Sequence, residues 1–173
     1  ANLSLVSYTP PILSYTVAGS DDNKVYFLNS SGGVIWEKNI GSDVNSVSMT
    51  AKSDGSDFFI VAGNDNNDVY LWNKAGNEIW SYLGSWNSDI FSVAISANGT
   101  YVVAGGENNM VYFFIGDGGN GTPLWSYDTT SDVYSVAISD DGTKVVAGGA
   151  EENVYLWRNA NTPTPSRIFY DTH

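Results

Sequence analysis

The residues best able to do chemistry are carboxylates. Nineteen Asp and Glu face seven Lys and Arg, a formal charge of −12, and the densest acidic runs are Asp21-Asp22-Asn23 and Asn64-Asp65-Asn66-Asn67-Asp68. Hard oxygens of this kind suit calcium, so Asp21, Asp22, Asp65 and Asp68 are the candidate metal ligands and calcium the one cofactor worth considering; no other is expected. Neither run has the spacing of a helix-loop-helix calcium loop or a complete glycine-aspartate repeat loop. Paired carboxylates can also hydrolyse glycosides, but a general acid needs a buried or coupled carboxyl, and these acids lie in hydrophilic turns. With His173 as the sole histidine and no cysteine, neither a zinc or copper cluster nor a Ser-His-Asp constellation can be assembled. Gly116-Asp117-Gly118-Gly119-Asn120-Gly121 lacks the lysine and following helix of a phosphate loop and reads as a flexible insertion.

The elements that must carry these residues repeat. The segment Val-Ala-Gly recurs around Ala18, Ala62, Ala104 and Ala147, at intervals of 44, 42 and 43 residues. Val-Tyr keeps the same phase at Tyr26, Tyr70, Tyr112 and Tyr155, an apolar-Trp pair at Trp36, Trp80 and Trp125, and an Asp before a strand at Asp43, Asp89 and Asp132. In the third copy the pattern predicts strands over 90–96, 101–104, 110–114 and 123–127, with Asn98-Gly99 as a turn. Four short aromatic strands per period, with no helical periodicity, predict an all-β fold: a β-propeller of four four-stranded antiparallel blades. A two-layer sandwich would not need markers at constant phase.

The blades are expected at about 1–41, 42–86, 87–130 and 131–173. Leu3 to Tyr8 supplies the innermost strand of the first blade, and Arg167 to Thr172 aligns with Leu124 to Thr129, which sets Ile168 in the place of the blade tryptophan. In this phase no strand from one terminus completes the sheet of the other. The ring is therefore expected to close alone, to be completed by another chain, or to continue in blades outside this sequence. Bare terminal faces favour a homodimer of two four-blade halves or a missing remainder. A start at Ala1 suggests a processed or excised piece.

The units VAGSDDNKVYFLNSSGGVIW, VAGNDNNDVYLWNKAGNEIW and SVAISDDGTKVVAGG resemble the propeller repeats of archaeal and bacterial surface proteins that lie between the WD-repeat and quinoprotein (PQQ) types. Val69 to Trp72 and Val154 to Trp157 resemble the strand ending a WD repeat, though the WD dipeptide is missing and Gly-His is replaced by Gly41-Ser42-Asp43 or Ser131-Asp132. Trp36, Trp80 and Trp125 resemble the docking tryptophan of quinoprotein blades. That resemblance implies an indole packed between neighbouring blades, with Ile168 packing less well. It also raises a quinone-dependent enzyme, but the inner strands carry no basic residue to face such a cofactor.

By the loop rule of a propeller, loops from second to third strand and blade junctions share one face. Asp21, Asp22, Asp65, Asp68, Glu107, Glu151 and Glu152, with Asp43, Asp89, Asp128 and Asp132, then form one acidic face. Asp43, Asp89 and Asp132 are expected to cap turns with their carboxylates. Their companions Asn45, Phe91 and Tyr134 edge the channel, and these six are the candidate ligand- or partner-binding residues. The function expected is a non-catalytic binding or scaffold module, extracellular or on a cell surface, taking a protein partner or a second copy. The alternatives are the propeller portion of an enzyme whose active residues lie outside this chain, or an inert spacer. The charge repels nucleic acid, and no apolar run is long enough to span a bilayer. Sequons at Asn2, Asn29, Asn98 and Asn120 would matter on a cell surface.

Overall fold

The computed structural model describes residues 15–52, 57–84, 88–151 and 153–158, together with the backbone of 166–169. Among them fifteen strands form four antiparallel sheets, each laid down in chain order. The first sheet is β1 (Thr16–Gly19), β2 (Lys24–Leu28) and β3 (Val34–Asn39); the second is β4 (Val44–Ala51), β5 (Phe58–Asn64), β6 (Val69–Asn73) and β7 (Glu78–Tyr82). The third is β8 (Ile90–Ile95), β9 (Tyr101–Gly106), β10 (Met110–Ile115) and β11 (Pro123–Asp128); the fourth is β12 (Val133–Ile138), β13 (Val145–Gly149), β14 (Asn153–Trp157) and β15 (Ser166–Phe169). The expected innermost strand of the first sheet, Leu3 to Tyr8, falls outside the described residues.

Strand composition follows position in this stack. β5 and β9 are almost continuously apolar and buried, because their sheets are covered on both faces and neither set of alternating side chains reaches water. The outer strand β11 alternates between covered and exposed. The innermost strands lie side by side, β4 against β8 and β8 against β12, which is the arrangement of a propeller around its axis.

Three apolar layers sit between successive sheets, and each is built from the same positions. Val25 and Phe27 of the first sheet meet Ile60, Ala62 and Trp72 of the second. Val69 and Leu71 meet Val102, Ala104 and Phe114; Val111 and Phe113 meet Val145, Ala147 and Trp157. Phe27, Leu71 and Phe113 are fully buried, each contributing about 1.5–3 kcal/mol of apolar burial. Each sheet thus has a leading face toward the next and a receiving face toward the one before.

The fourth sheet departs from the alignment drawn from sequence. Trp36, Trp80 and Trp125 pair with Phe27, Leu71 and Phe113. The corresponding residue Leu156 pairs with Ser166, whereas Ile168 pairs with Val154. Ile168 is therefore not in the tryptophan position; Ser166 is. A slip of two residues keeps every side chain on its own face, so the alternation of residues along the strand is the same in both registers.

Candidate functional site

The innermost strands each begin with a β-bulge. Pairing runs Val44 to Asn64 and then Ser46 to Gly63, skipping Asn45. It skips Phe91 between Ile90 and Ser92, and Tyr134 between Val133 and Ser135. A bulge leaves its extra residue unpaired and re-aims its side chain. The three residues so displaced are the three expected at the channel edge, and they come together: the Phe91 and Tyr134 rings are 5.8 Å apart, and Asn45 Nδ2 donates to Ile90 O across the sheet boundary at 3.2 Å. Tyr134 keeps 56% of its surface exposed.

The bulges follow Asp43, Asp89 and Asp132. The backbone carbonyls of these residues accept from the N–H groups of Asp65, Glu107 and Ala150 at 3.1, 2.9 and 2.9 Å, tying each junction to the neighbouring loop from second to third strand. This corrects the expected capping role. The backbone makes the tie, and among the described residues no hydrogen-bond donor reaches the three half-buried carboxylates.

The two loop classes therefore lie together as an acidic rim. Asn45 Nδ2 also donates to Asp65 Oδ1 at 2.5 Å. Asp89 is held above its ordinary carboxylate value, first by desolvation and then by the charges of Asp65 and Glu107. The inner strands β4, β8 and β12 contain neither Lys nor Arg, so they do not fit an anionic quinone.

Asp21, Asp22, Asp65 and Asp68 are placed in turns and do not gather. Asp22 accepts from Lys24 N–H at 3.2 Å and from the Tyr26 hydroxyl, and these bonds, Tyr26 foremost, pull its carboxyl below the ordinary value. Asp68 Oδ1 accepts from Gly84 N–H at 3.1 Å, and Asn64 Oδ1 accepts from the N–H groups of Asn66 and Asp68, both at 3.0 Å. Asn64, Asn67 and Asp68 are buried, so this network holds the β5–β6 turn, with Asn67 at a φ of 61°. Among the described residues no three His, Cys, Asp or Glu side chains converge as metal ligands.

The tryptophans bridge sheets. Trp36 Nε1 donates to Lys74 O at 3.0 Å and Trp80 Nε1 to Gly116 O at 2.9 Å, each acceptor lying in the next sheet. Trp80 stacks on Phe114 and Trp125 on Trp157, with centroids 5.2 Å apart in both. Sequence reasoning missed a second bridge: Ser46 Oγ accepts from Val93 N–H and Ser92 Oγ from Val136 N–H, both at 3.1 Å. Its signal was present, a serine at constant phase three residues after each junction aspartate.

Residues 76–114 and 121–158 match the WD domain, G-beta repeat. Each match starts near the outermost strand of one sheet and runs through the first three strands of the next, so the sequence unit is offset by one strand from the sheet. No curated protein matches the chain. WD-repeat propellers typically serve as protein-interaction scaffolds and are generally non-catalytic. No helix among the described residues is long and apolar enough to cross a membrane.

Proposed function

We propose that this chain is a non-catalytic protein-interaction scaffold whose bulge-lined acidic rim takes a Lys- or Arg-bearing segment of a partner protein. The observation that carries the reading is the rim itself. Asn45, Phe91 and Tyr134 are the unpaired residues of three equivalent bulges, close in sequence or by hydrogen bond to Asp43, Asp65, Asp89, Glu107 and Asp132. An aromatic pair next to unneutralised carboxylates suits the stem and charge of a long cationic side chain, and a rim of one sign draws such a partner in. What supports an extracellular or cell-surface setting is the acidic composition and the turn-borne sequons at Asn29, Asn98 and Asn120. The inter-sheet tryptophans are the feature shared with quinoprotein-type repeats.

Titration with a Lys/Arg-rich peptide, followed by calorimetry at low and high salt, tests this. Binding is expected to weaken steeply with salt. It is expected to weaken a few-fold in Asp89→Asn and Glu107→Gln, at about 0.2–1 kcal/mol per exposed ion pair, and further in Tyr134→Ala. Because a bound cation lowers the proton affinity of Asp89, binding releases protons at pH values where its raised carboxyl is partly protonated. Peptide binding that ignores salt and these substitutions, or no binding, rejects the rim as a cation-recognition surface.

A further inference from the structure

The inter-sheet contact is built three times from the same positions and left half-built twice. On the leading side, a Cβ added to Gly19, Gly63 or Gly105 would stand 2.5, 2.3 and 2.5 Å from Val44, Ile90 and Val133 of the next sheet. The fourth member of that series, Gly148, has no described atom within 4 Å. Ser46 and Ser92 reach the next sheet's backbone, whereas Ser135 is exposed. Val61 and Val103 are fully buried, but Val146 is 39% exposed. Val154 and Leu156 are half-buried where Val69, Val111, Leu71 and Phe113 are fully covered.

The receiving side of the first sheet shows the complement. Ala62, Ala104 and Ala147 are fully buried, as are or nearly are Trp72, Phe114 and Trp157. The first sheet's Ala18, Tyr26 and Leu28 are half-buried and Thr16 is exposed. Left open by the described residues, the two faces keep the apolar grammar of the internal layers and lack the polar outer surface that ends a repeat stack. By backbone register Ser166 stands at the position of the bridging tryptophan in the fourth sheet, and Leu28 holds the place of Trp72, Phe114 and Trp157 in the first.

We infer that a second copy of this chain covers both faces, the leading face of one copy's fourth sheet docking on the receiving face of the other's first sheet. The contact is head-to-tail, and two such contacts related by a twofold axis close a ring of two chains. This goes beyond the rim reading and does not depend on it. Each chain presents one face of each kind, so the partner that fits is the chain itself.

Light-scattering mass across a dilution series tests the inference with the chain, Gly148→Leu and Leu28→Arg. No described atom lies within 4 Å of a Cβ at Gly148, so leucine there is expected to leave the fold intact, which far-ultraviolet circular dichroism checks, while blocking the docking face. The parent chain is expected as a two-chain particle and each variant as one chain. An equimolar mixture of the variants regains a two-chain particle, because the fourth sheet of Leu28→Arg still fits the first sheet of Gly148→Leu. A parent chain that is single at every concentration overturns the inference, as does a Gly148→Leu particle that stays double. A mixture that stays single rejects the head-to-tail geometry.

Discussion

Asp141 and Asn98 occupy the same turn in successive sheets and show how a charge changes one hydrogen-bond pattern. Asn98 Oδ1 accepts from Ser96 Oγ at 2.9 Å and Thr100 N–H at 3.0 Å. Asp141 Oδ1 accepts from Ser139 Oγ at 2.6 Å and from Thr143 N–H and Oγ1 at 3.0 and 2.8 Å. Ser139 first, and then Thr143, pull the Asp141 carboxyl down to about 2. A lowered acid stabilises the fold above its ordinary value, and that stabilisation disappears as pH falls from about 4 through 2. Asp141→Asn, which copies Asn98, is expected to lower the urea midpoint slightly at pH 7 and to flatten its decline over that acid window. Asp89 has the opposite sign. Its value is raised, so ionisation opposes folding once pH exceeds that raised value and has no effect below the ordinary one. Asp89→Asn is therefore expected to raise the melting temperature slightly at pH 7 and not at pH 3, while weakening cationic-peptide binding. A loss of stability at pH 7 would place Asp89 in a structural role instead.

Within each sheet, the markers at constant phase carried most of the information. Val-Ala-Gly and Val-Tyr located the second and third strands because in the second and third sheets those central strands are almost wholly buried, and the same residues recur at the same phase in the other two. The bulges were legible in principle. Ile90 and Val93, and Val133 and Val136, are buried three residues apart, and Val47 packs half-buried against the same core as Val44, a spacing impossible on one face of a regular strand. The register of β15 was not legible, since a slip of two preserves the alternation and only cross-strand pairing reveals it. Nor was the docking of Asn45 on Ile90 O, which depends on how adjacent sheets sit. The tryptophan bridge gives the sharpest test here. Trp80→Phe keeps the stack on Phe114 but removes the donor to the buried Gly116 carbonyl, an expected cost of about 1–3 kcal/mol in urea unfolding. A cost near zero would mean that water replaces the bond and that stacking alone joins the sheets.

The whole chain is a stack in which each sheet touches its neighbours, so stability is a sum of local terms and is lowest where a neighbour is missing. The second and third sheets are covered on both faces, as continuous burial along β5 and β9 shows. The fourth sheet has Val133, Val145, Ala147 and Trp157 packed against the third, with Val146 and Gly148 open on its other side. Amide exchange should follow this order: slow in β5 and β9 and faster in β13 and β14 when the protein is dilute. If a second copy covers the leading face of the fourth sheet, raising the protein concentration slows exchange in β13 and β14 and leaves β5 and β9 unchanged, because association stabilises only the elements that it covers. Gly148→Leu should abolish that concentration dependence. Exchange in β13 and β14 that is slow even at high dilution would instead mean that the chain covers its own terminal face.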